Sequence, residues 1–397
     1  MSVSIILGDI HLGKGLSIGK LGIGSALNSR IVDQINLLDW VRDQAHQRHA
    51  ERIILTGDIF QDPKPHPSII KIFLAWVKRC QLDNIQLHII YGNHDILRSG
   101  QFVTSALDIL AEADLDNVFL YNSIDTIITP GVGFTLLPFR DRRSFDLESH
   151  DKAILSIKDK LTFERASIPS HYKKVLIGHL ALEGSIYVGD EFSDSSNELF
   201  CPLDMFNDYD YVWMGHIHKP QVLKESPHIA HVGSMDRSDF GETDHDKVII
   251  VLDSDSPEFF ETVQLPTRNL VSLKITIDQN SADPTQTVLD QLKLNSFMLK
   301  DSLMRLEVQV MESGLPNLDR KLIESQIYKY GTFHISGFTE TRKVQQIKKR
   351  STDQFTNIND ASVMLKRYAE LHIEPDIHDE FCSVATEVMM EYKAEEK

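Results

Sequence analysis

Five times along this chain a short apolar run ends on Gly and is followed at once by a side chain able to bind a metal ion. Val3-Ser4-Ile5-Ile6-Leu7 leads through Gly8 to Asp9 and His11, and Ile53-Ile54-Leu55-Thr56 leads through Gly57 to Asp58. Leu87-His88-Ile89-Ile90-Tyr91 leads through Gly92 to Asn93, His94 and Asp95. Val175-Leu176-Ile177 leads through Gly178 to His179, and Tyr211-Val212-Trp213-Met214 through Gly215 to His216 and His218. Short runs rich in Val and Ile and bounded by Gly read as buried strands. Ligands of layered α/β proteins gather at the carboxyl ends of such strands. Residues two apart in extended chain point to the same side, so Asp9 can act with His11 and His216 with His218. Any one of these endings is an ordinary turn. Five of them constrain the fold to one in which the strand ends meet.

Asp9, His11, Asp58, Asn93, His179, His216 and His218 offer only oxygen and imidazole nitrogen, with no thiolate. One ion does not need so many donors, whereas two ions sharing a carboxylate do. Mixed His and carboxylate ligation without Cys suits Mn, Fe or Zn in a catalytic setting rather than a structural zinc.

At 397 residues the chain has room for one large domain and one or two smaller ones. Its amino terminus lacks the basic stretch and long apolar core of a signal peptide, and no run is long enough to span a membrane. Three cysteines, Cys80, Cys201 and Cys382, are widely spaced and form no C-x-x-C, which excludes a disulfide framework and leaves a reducing cytoplasm as the expected setting. The net charge of −17 counts against a nucleic-acid partner. That charge is uneven, however: residues 268–350 carry more Lys and Arg than Asp and Glu, between two acidic flanks. Part of the N-terminal acidity belongs to the donor set itself, where bound cations offset it.

Around these strands the pattern alternates. Ile31, Ile35, Leu38 and Val41 form a helical stripe over 28–48, and a second helix is expected over 68–80, after a proline-stiffened loop. A third is expected over 101–113. The loop from Gly13 to Leu21 superficially resembles a phosphate-binding loop, but Leu21 stands where Ser or Thr is required, so a nucleotide site is rejected. The run Arg140-Asp141-Arg142-Arg143 reads as a solvated face, and 183–205 as a polar loop beside the site. The segments 231–234 and 248–252 read as late strands of a second sheet. From Arg268 the texture changes to a small α+β unit, with strands over 270–277 and 303–310 and a helix over 287–294. Beyond Thr341 a basic stretch precedes two amphipathic helical segments, 361–371 and 375–392. This alternation predicts an α/β architecture with helices on the faces of its sheets.

Gly8-Asp9-Ile10-His11, Gly57-Asp58, Gly92-Asn93-His94-Asp95, Gly178-His179 and Gly215-His216-Ile217-His218 resemble the signature of the calcineurin-like metallophosphoesterases. More narrowly, Ile54-Leu55-Thr56-Gly57-Asp58-Ile59-Phe60 and Gly233-Ser234 with Asp239-Phe240-Gly241-Glu242 resemble SbcD-type nuclease subunits of bacterial double-strand-break repair complexes. The likeness is detailed over 1–252 and faint afterwards. It implies a layered β-sandwich flanked by helices over 1–267, a capping domain over 268–340, and over 341–397 a linker and helical segment that docks on an SMC-like coiled-coil ATPase of SbcC type.

The resemblance assigns one metal to Asp9, His11, Asp58 and His218 and the other to Asp58, Asn93, His179 and His216. Two divalent ions are implied, with Mn2+ expected. His94 is then the general acid that protonates the leaving oxygen, and Asp95 orients it. Where the family often carries His or an acidic residue three positions after the bridging Asp, this chain has Gln61, which puts substrate positioning in question. A homodimer is expected through Ile69, Ile72, Phe73, Trp76, Phe102, Leu107 and Leu110, although periodicity alone does not separate that face from core. Three function classes follow: a DNA nuclease subunit driven by an ATPase partner, a stand-alone phosphatase or cyclic-nucleotide phosphodiesterase, and a metal-free scaffold.

Overall fold

The computed structural model describes residues 2–342 apart from 22–26, 100–101, 114, 147, 188–196, 279–280 and 312–315; beyond 342 it describes only Ala369, Ile373, Ile377 and 381–385. Val3–Leu7, Arg52–Leu55, Gln86–Ile90 and Val118–Tyr121 pair in parallel in that order. Alternate side chains of these strands divide between two cores, as a period of two requires. Ile5, Leu7, Ile53, Leu55, Leu87 and Ile89 pack with the helices, whereas Ile6, Ile54 and Ile90 join the core between the sheets. The helices are Ser29–Gln47, begun by the Asn28 side chain accepting from Arg30 N, and Pro67–Leu82, begun by His66 in the same way.

The second sheet has the parallel strands Val132–Leu137, Lys173–His179, Tyr211–Gly215 and His228–His231, with antiparallel Asp125–Thr129 and Gln221–Lys224 at its two edges. Its inner face gives Phe134, Leu136, Val175, Ile177 and Trp213 to the shared core. Its outer face packs Leu176, Val212 and Met214 with Ala153, Ile157 and Leu161 of helix His150–Arg165. The layers are therefore helix, sheet, sheet, helix.

The chain then returns to the first sheet. Val248–Asp253 lies antiparallel beside Val3–Leu7, and Phe260–Gln264 lies outside it. This corrects the expectation that 248–252 belongs to the second sheet. A Val-Ile-Ile-Val-Leu run is buried on both faces in either sheet, so its pattern does not say whose edge it covers.

The stretch 101–113 is not the expected helix. Phe102–Thr104 pairs antiparallel with Leu97–Ser99, and only Asp108–Ala111 is helical. The Asp108 carboxylate accepts from Ser105 N at 2.9 Å and from the Tyr91 hydroxyl at 2.6 Å, while Ser105 Oγ accepts from Leu107 N. Such local polar bonds compete with a helix. Of the side chains read as a dimer face, Ile69, Phe73, Trp76, Leu107 and Leu110 are buried in this chain's own core.

Leu270–Ile277, Leu303–Val310 and His334–Arg342 form a three-stranded sheet carrying Pro284–Leu294 and Arg320–Lys329, which bury Val288, Leu292, Ile323 and Ile327. Arg268 ties its start to the first helix through Asp33 at 2.8 Å and lies 4.0 Å over the Phe333 ring. The chain resolves into two compact units, Met1–Gln309 with Leu315–Thr341, and Val310–Gly314 with Arg342–Lys397. Most of the two expected tail helices lies outside the described residues; 381–385 is helical. No helix among the described residues is long and apolar enough to cross a membrane.

Candidate metal centre

The fold brings all seven expected donors to one place. Asp9, Asp58 and Asn93 follow neighbouring strands of the first sheet, while His179 ends a strand of the second and lies beside Gly215, which precedes His216. The loops bind one another: Ile10 N and His11 N donate to the Asp58 carbonyl at 3.1 and 2.8 Å, and Met235 N donates to the Asp9 carbonyl at 2.8 Å. His11, Asp58 and His216 have φ of 44°, 49° and 82°, a left-handed region that non-glycine residues seldom occupy and that costs about 1–3 kcal/mol apiece. The glycines permit the close approach. A Cβ at Gly92 would overlap the Asp58 carboxylate, and one at Gly215 would overlap that of Asp9.

Two groups meet at Asp58. On one side His11 Nε2 is 3.4 Å from Asp58 Oδ2 and 2.9 Å from His218 Nε2, with Asp9 in the same cluster. On the other side His179 Nε2 is 3.3 Å from Asp58 Oδ2 and 2.9 Å from Asn93 Oδ1, which in turn is 3.1 Å from His216 Nδ1. His179 Nδ1 donates to the Thr56 carbonyl at 2.9 Å, leaving Nε2 for the centre. Thr56 Oγ1 and His216 N donate to the two oxygens of Asp9 at 3.1 and 2.7 Å.

The electrostatics fit divalent ions. Burial drives the His11 imidazole well below its ordinary pKa, so it is neutral with a lone pair to give. Burial opposes charge on Asp58 too, but the charge of His179 and the hydrogen bond from it hold its carboxyl well below the usual range. Burial likewise lowers His179, yet Asp58 and Asp9 outweigh it and push the imidazole up to about 9. Burial, with the charge of Asp58, raises the Asp9 carboxyl, so ionising both demands added positive charge between them, which a divalent cation supplies. His11 Nδ1 is buried without a hydrogen-bond partner, and two imidazole Nε2 atoms face each other at hydrogen-bond distance. An all-oxygen-and-imidazole set converging in this way suits Mn, Fe or Zn.

His94 and Asp95 each bond to the main chain of the neighbouring loop. His94 Nδ1 donates to the Gln61 carbonyl at 2.8 Å, and its backbone N donates to Asp58 Oδ1 at 2.8 Å. The Asp95 carboxylate accepts from Ile59 N at 2.9 Å, Gly92 N at 3.0 Å and Phe60 N at 3.3 Å. Direct orientation of His94 by Asp95 is therefore corrected: Asp95 pins the Asp58 and Asn93 loops together. At Gln61 it is the main-chain carbonyl, not the side chain, that accepts from His94.

Sequence reasoning missed several neighbours. Glu198 Oε1 lies 2.5 Å from His216 Nε2, from within the loop expected beside the site. Lys14 Nζ lies 3.1 Å from His218 Nδ1, and Glu242 lies 3.6 Å from the same atom and 2.7 Å from the buried Lys247 ammonium. The run 140–143 is not simply a solvated face, since Asp141 is 1% exposed and, with Arg98 and Arg143, lines a cleft reaching Asn93 and His216. Glu242 stands in the Asp-Phe-Gly-Glu likeness, which says nothing of its partners; the others carry no signal beyond being charged.

The profile of the calcineurin-like phosphoesterase family matches residues 4–220. The chain is 26% identical over 281 residues to the D subunit of the SbcCD nuclease of Staphylococcus epidermidis, spanning 67% of this chain and 70% of that one. It is 23% identical over 275 residues to the protein of the same name in Escherichia coli K12, spanning 62% and 66%. A crystal structure of a dimetal phosphatase from Danio rerio aligns over 63% of this chain and 91% of its own, at 12% identity and a TM-score of 0.40.

Proposed function

This chain belongs to the calcineurin-like phosphoesterase family, and from that premise we propose that it is a dinuclear-metal-dependent DNA nuclease acting on DNA ends in the cytoplasm as partner of an SMC-like coiled-coil ATPase. The observation that carries the reading is the Asp58 carboxylate between two donor groups, with the His94 imidazole beside it. In this reading Asp9, His11, Asp58 and His218 hold one ion, and Asp58, Asn93, His179 and His216 hold the other. Mn2+ is the ion we choose, on the mixed nitrogen and oxygen donors. Bound ions of this kind neutralise the non-bridging oxygens of a phosphodiester and activate water.

The chain's own residues do the rest. Asp58, Asp9 and the imidazoles fix where the phosphorus sits, because their loops are bonded to one another before substrate arrives. His94 donates Nδ1–H to Gln61, so the transferable proton is the second one, carried on Nε2 of the imidazolium form. As water oxygen bonds to phosphorus and the bond to the sugar oxygen breaks, that proton passes to the departing oxygen. Help of this kind is worth about 10²–10⁴ in rate. The buried Asp95 holds the two loops in register and touches no substrate.

Residues 268–340 are read as a capping domain, supported by their separate sheet, and 341–397 as the ATPase-docking segment. The homodimer in this reading is supported by the resemblance, not by Ile69, Phe73 and Trp76, which the chain buries itself.

The test is cleavage of a single-stranded oligonucleotide with Mn2+, beside hydrolysis of bis-p-nitrophenyl phosphate, by the wild type and His94→Ala. We expect the variant to keep its metals and to lose about 10²–10⁴ on the oligonucleotide and much less on the ester, whose nitrophenolate leaves unprotonated. Equal losses on both substrates would remove His94 as the acid. A wild type that hydrolyses the ester and leaves DNA intact would overturn the nuclease.

A further inference from the structure

A cleft of about 350 Å³ opens beside Asn93 and His216, walled by Ile96 and Phe139 and lined by Arg98, Asp141, Arg143 and Glu198. Its organiser is the buried Asp141. That side chain begins the turn Arg142–Phe145 in a reciprocal cap with Ser144, so its position is fixed by its own backbone. Its two oxygens then hold two guanidinium groups from separate parts of the chain. Arg98 Nη2, from Leu97–Ser99, is 3.3 Å from Oδ1 and 2.9 Å from Ser144 Oγ; Arg143 Nε is 2.7 Å from Oδ2. Burial raises the Asp141 carboxyl, but the bonds from Arg143 and Ser144 and the charge of Arg98 outweigh it and leave it ionised.

The two carboxylates of the cleft are engaged, Asp141 with the arginines and Glu198 with His216. Arg98 and Arg143 are 25% and 53% exposed in their side chains, so both reach solvent while one end of each is anchored. A planar guanidinium held in this way matches a phosphate with two parallel bonds. The apolar part of the lining, Ile96 and Phe139, has the character of a surface for a sugar or base. Phe139 is also packed against the centre, 6.1 Å from the His216 ring.

We infer that Arg98 and Arg143 form an anion subsite that takes the phosphate adjacent to the one being cleaved, on the same nucleic-acid strand. The cleft is continuous with Asn93 and His216, so an anion bound there lies within a nucleotide's reach of the reacting phosphorus. A monoester substrate has no second phosphate to place in it. The inference rests on the nuclease reading and makes the arginines specificity-determining residues for a polymeric substrate.

The experiment compares wild type, Arg143→Ala and Arg143→Lys on a single-stranded oligonucleotide and on bis-p-nitrophenyl phosphate, which carries one phosphate only. Arg143→Ala is expected to raise KM for the oligonucleotide about tenfold, the size of one charge-assisted bond, with a far smaller change in kcat. The loss on the ester is expected to be several-fold smaller. The slope of log KM against log salt should fall by about 0.7, one phosphate contact on a single strand. Arg143→Lys should restore the salt slope but only part of KM. Equal effects on both substrates, or an unchanged salt slope, overturn the subsite while leaving the nuclease standing. A wild type active on the ester and inert on the oligonucleotide overturns both.

Discussion

Glu198 holds the outer nitrogen of His216, 2.5 Å away, while the inner nitrogen faces Asn93. A carboxylate on the far side of a ligating imidazole sets its tautomer and raises its donor strength. In the ligand scheme proposed above, Glu198→Gln should weaken one of two Mn2+ sites about 10–100-fold and leave the other within error, read by calorimetric titration. Two unchanged sites would show that Glu198 does not act through His216. Asp58→Ala is expected to lose both ions, because each donor group reaches the same carboxylate; metal analysis that finds two ions retained per chain would end the bridging role. The expected donors were readable at this scale because each follows a Gly at a strand end. Glu198 was not, since its only link to His216 is a loop whose path the sequence does not state. Asp141 was hidden for another reason: charged neighbours on both sides made a buried anchor look like an exposed run.

At the scale of elements, the strands were legible where both periodicity and a Gly boundary marked them, the helix at 29–47 from its apolar stripe, and that at 67–82 from the proline-stiffened loop before it. Pairing was not. Nothing in 248–252 specifies that it lies against Val3–Leu7, because β-ladder bonds come from the backbone, which is alike in every strand. The 101–113 stretch departs from its pattern where Ser105 and Asp108 bond locally. The inner strand Gln86–Ile90 carries a further residue that no pattern flagged. His88 is 4% exposed, 4.8 Å from the Phe119 ring and 2.9 Å from the Tyr121 hydroxyl through Nδ1. Burial, with a smaller contribution from Arg52, lowers its pKa to about 3. The unfolded chain, with an ordinary value near 6.5, takes the proton first as pH falls. The contribution of His88 is therefore complete above about pH 6.5 and declines as pH falls toward 3. At pH 5 the decline is about 2 kcal/mol. Urea unfolding of wild type and His88→Gln at pH 7 and pH 5 measures it: the wild type should lose about 2 kcal/mol more than the variant. Parallel losses would mean that His88 titrates normally in the fold.

For the whole molecule, Met1–Gln309 and Leu315–Thr341 make one compact unit that already contains every donor of the centre. Truncation after Arg350 is accordingly expected to leave Mn2+-dependent cleavage of short single strands near wild type. The same truncation should abolish ATP-stimulated cleavage of duplex ends, if 351–392 is the docking segment proposed above. Co-purification of the truncated chain with a coiled-coil ATPase would place the docking surface elsewhere.

The position of Val248–Asp253 beside Val3–Leu7 has a consequence for how the protein is made. Val3 faces Asp253, so the strand Val3–Leu7 stays unpaired on one side until Asp253 has emerged from the ribosome. At about 5–20 residues per second that interval is roughly 10–50 s. For much of it the nascent chain carries Asp9, Asp58 and Asn93 but not yet His179 or His216, and throughout it one edge of its first sheet is open to other strands. Loading of ions at the two donor groups is then a late event, and chaperone occupancy during synthesis should concentrate on chains that end between about residues 95 and 250.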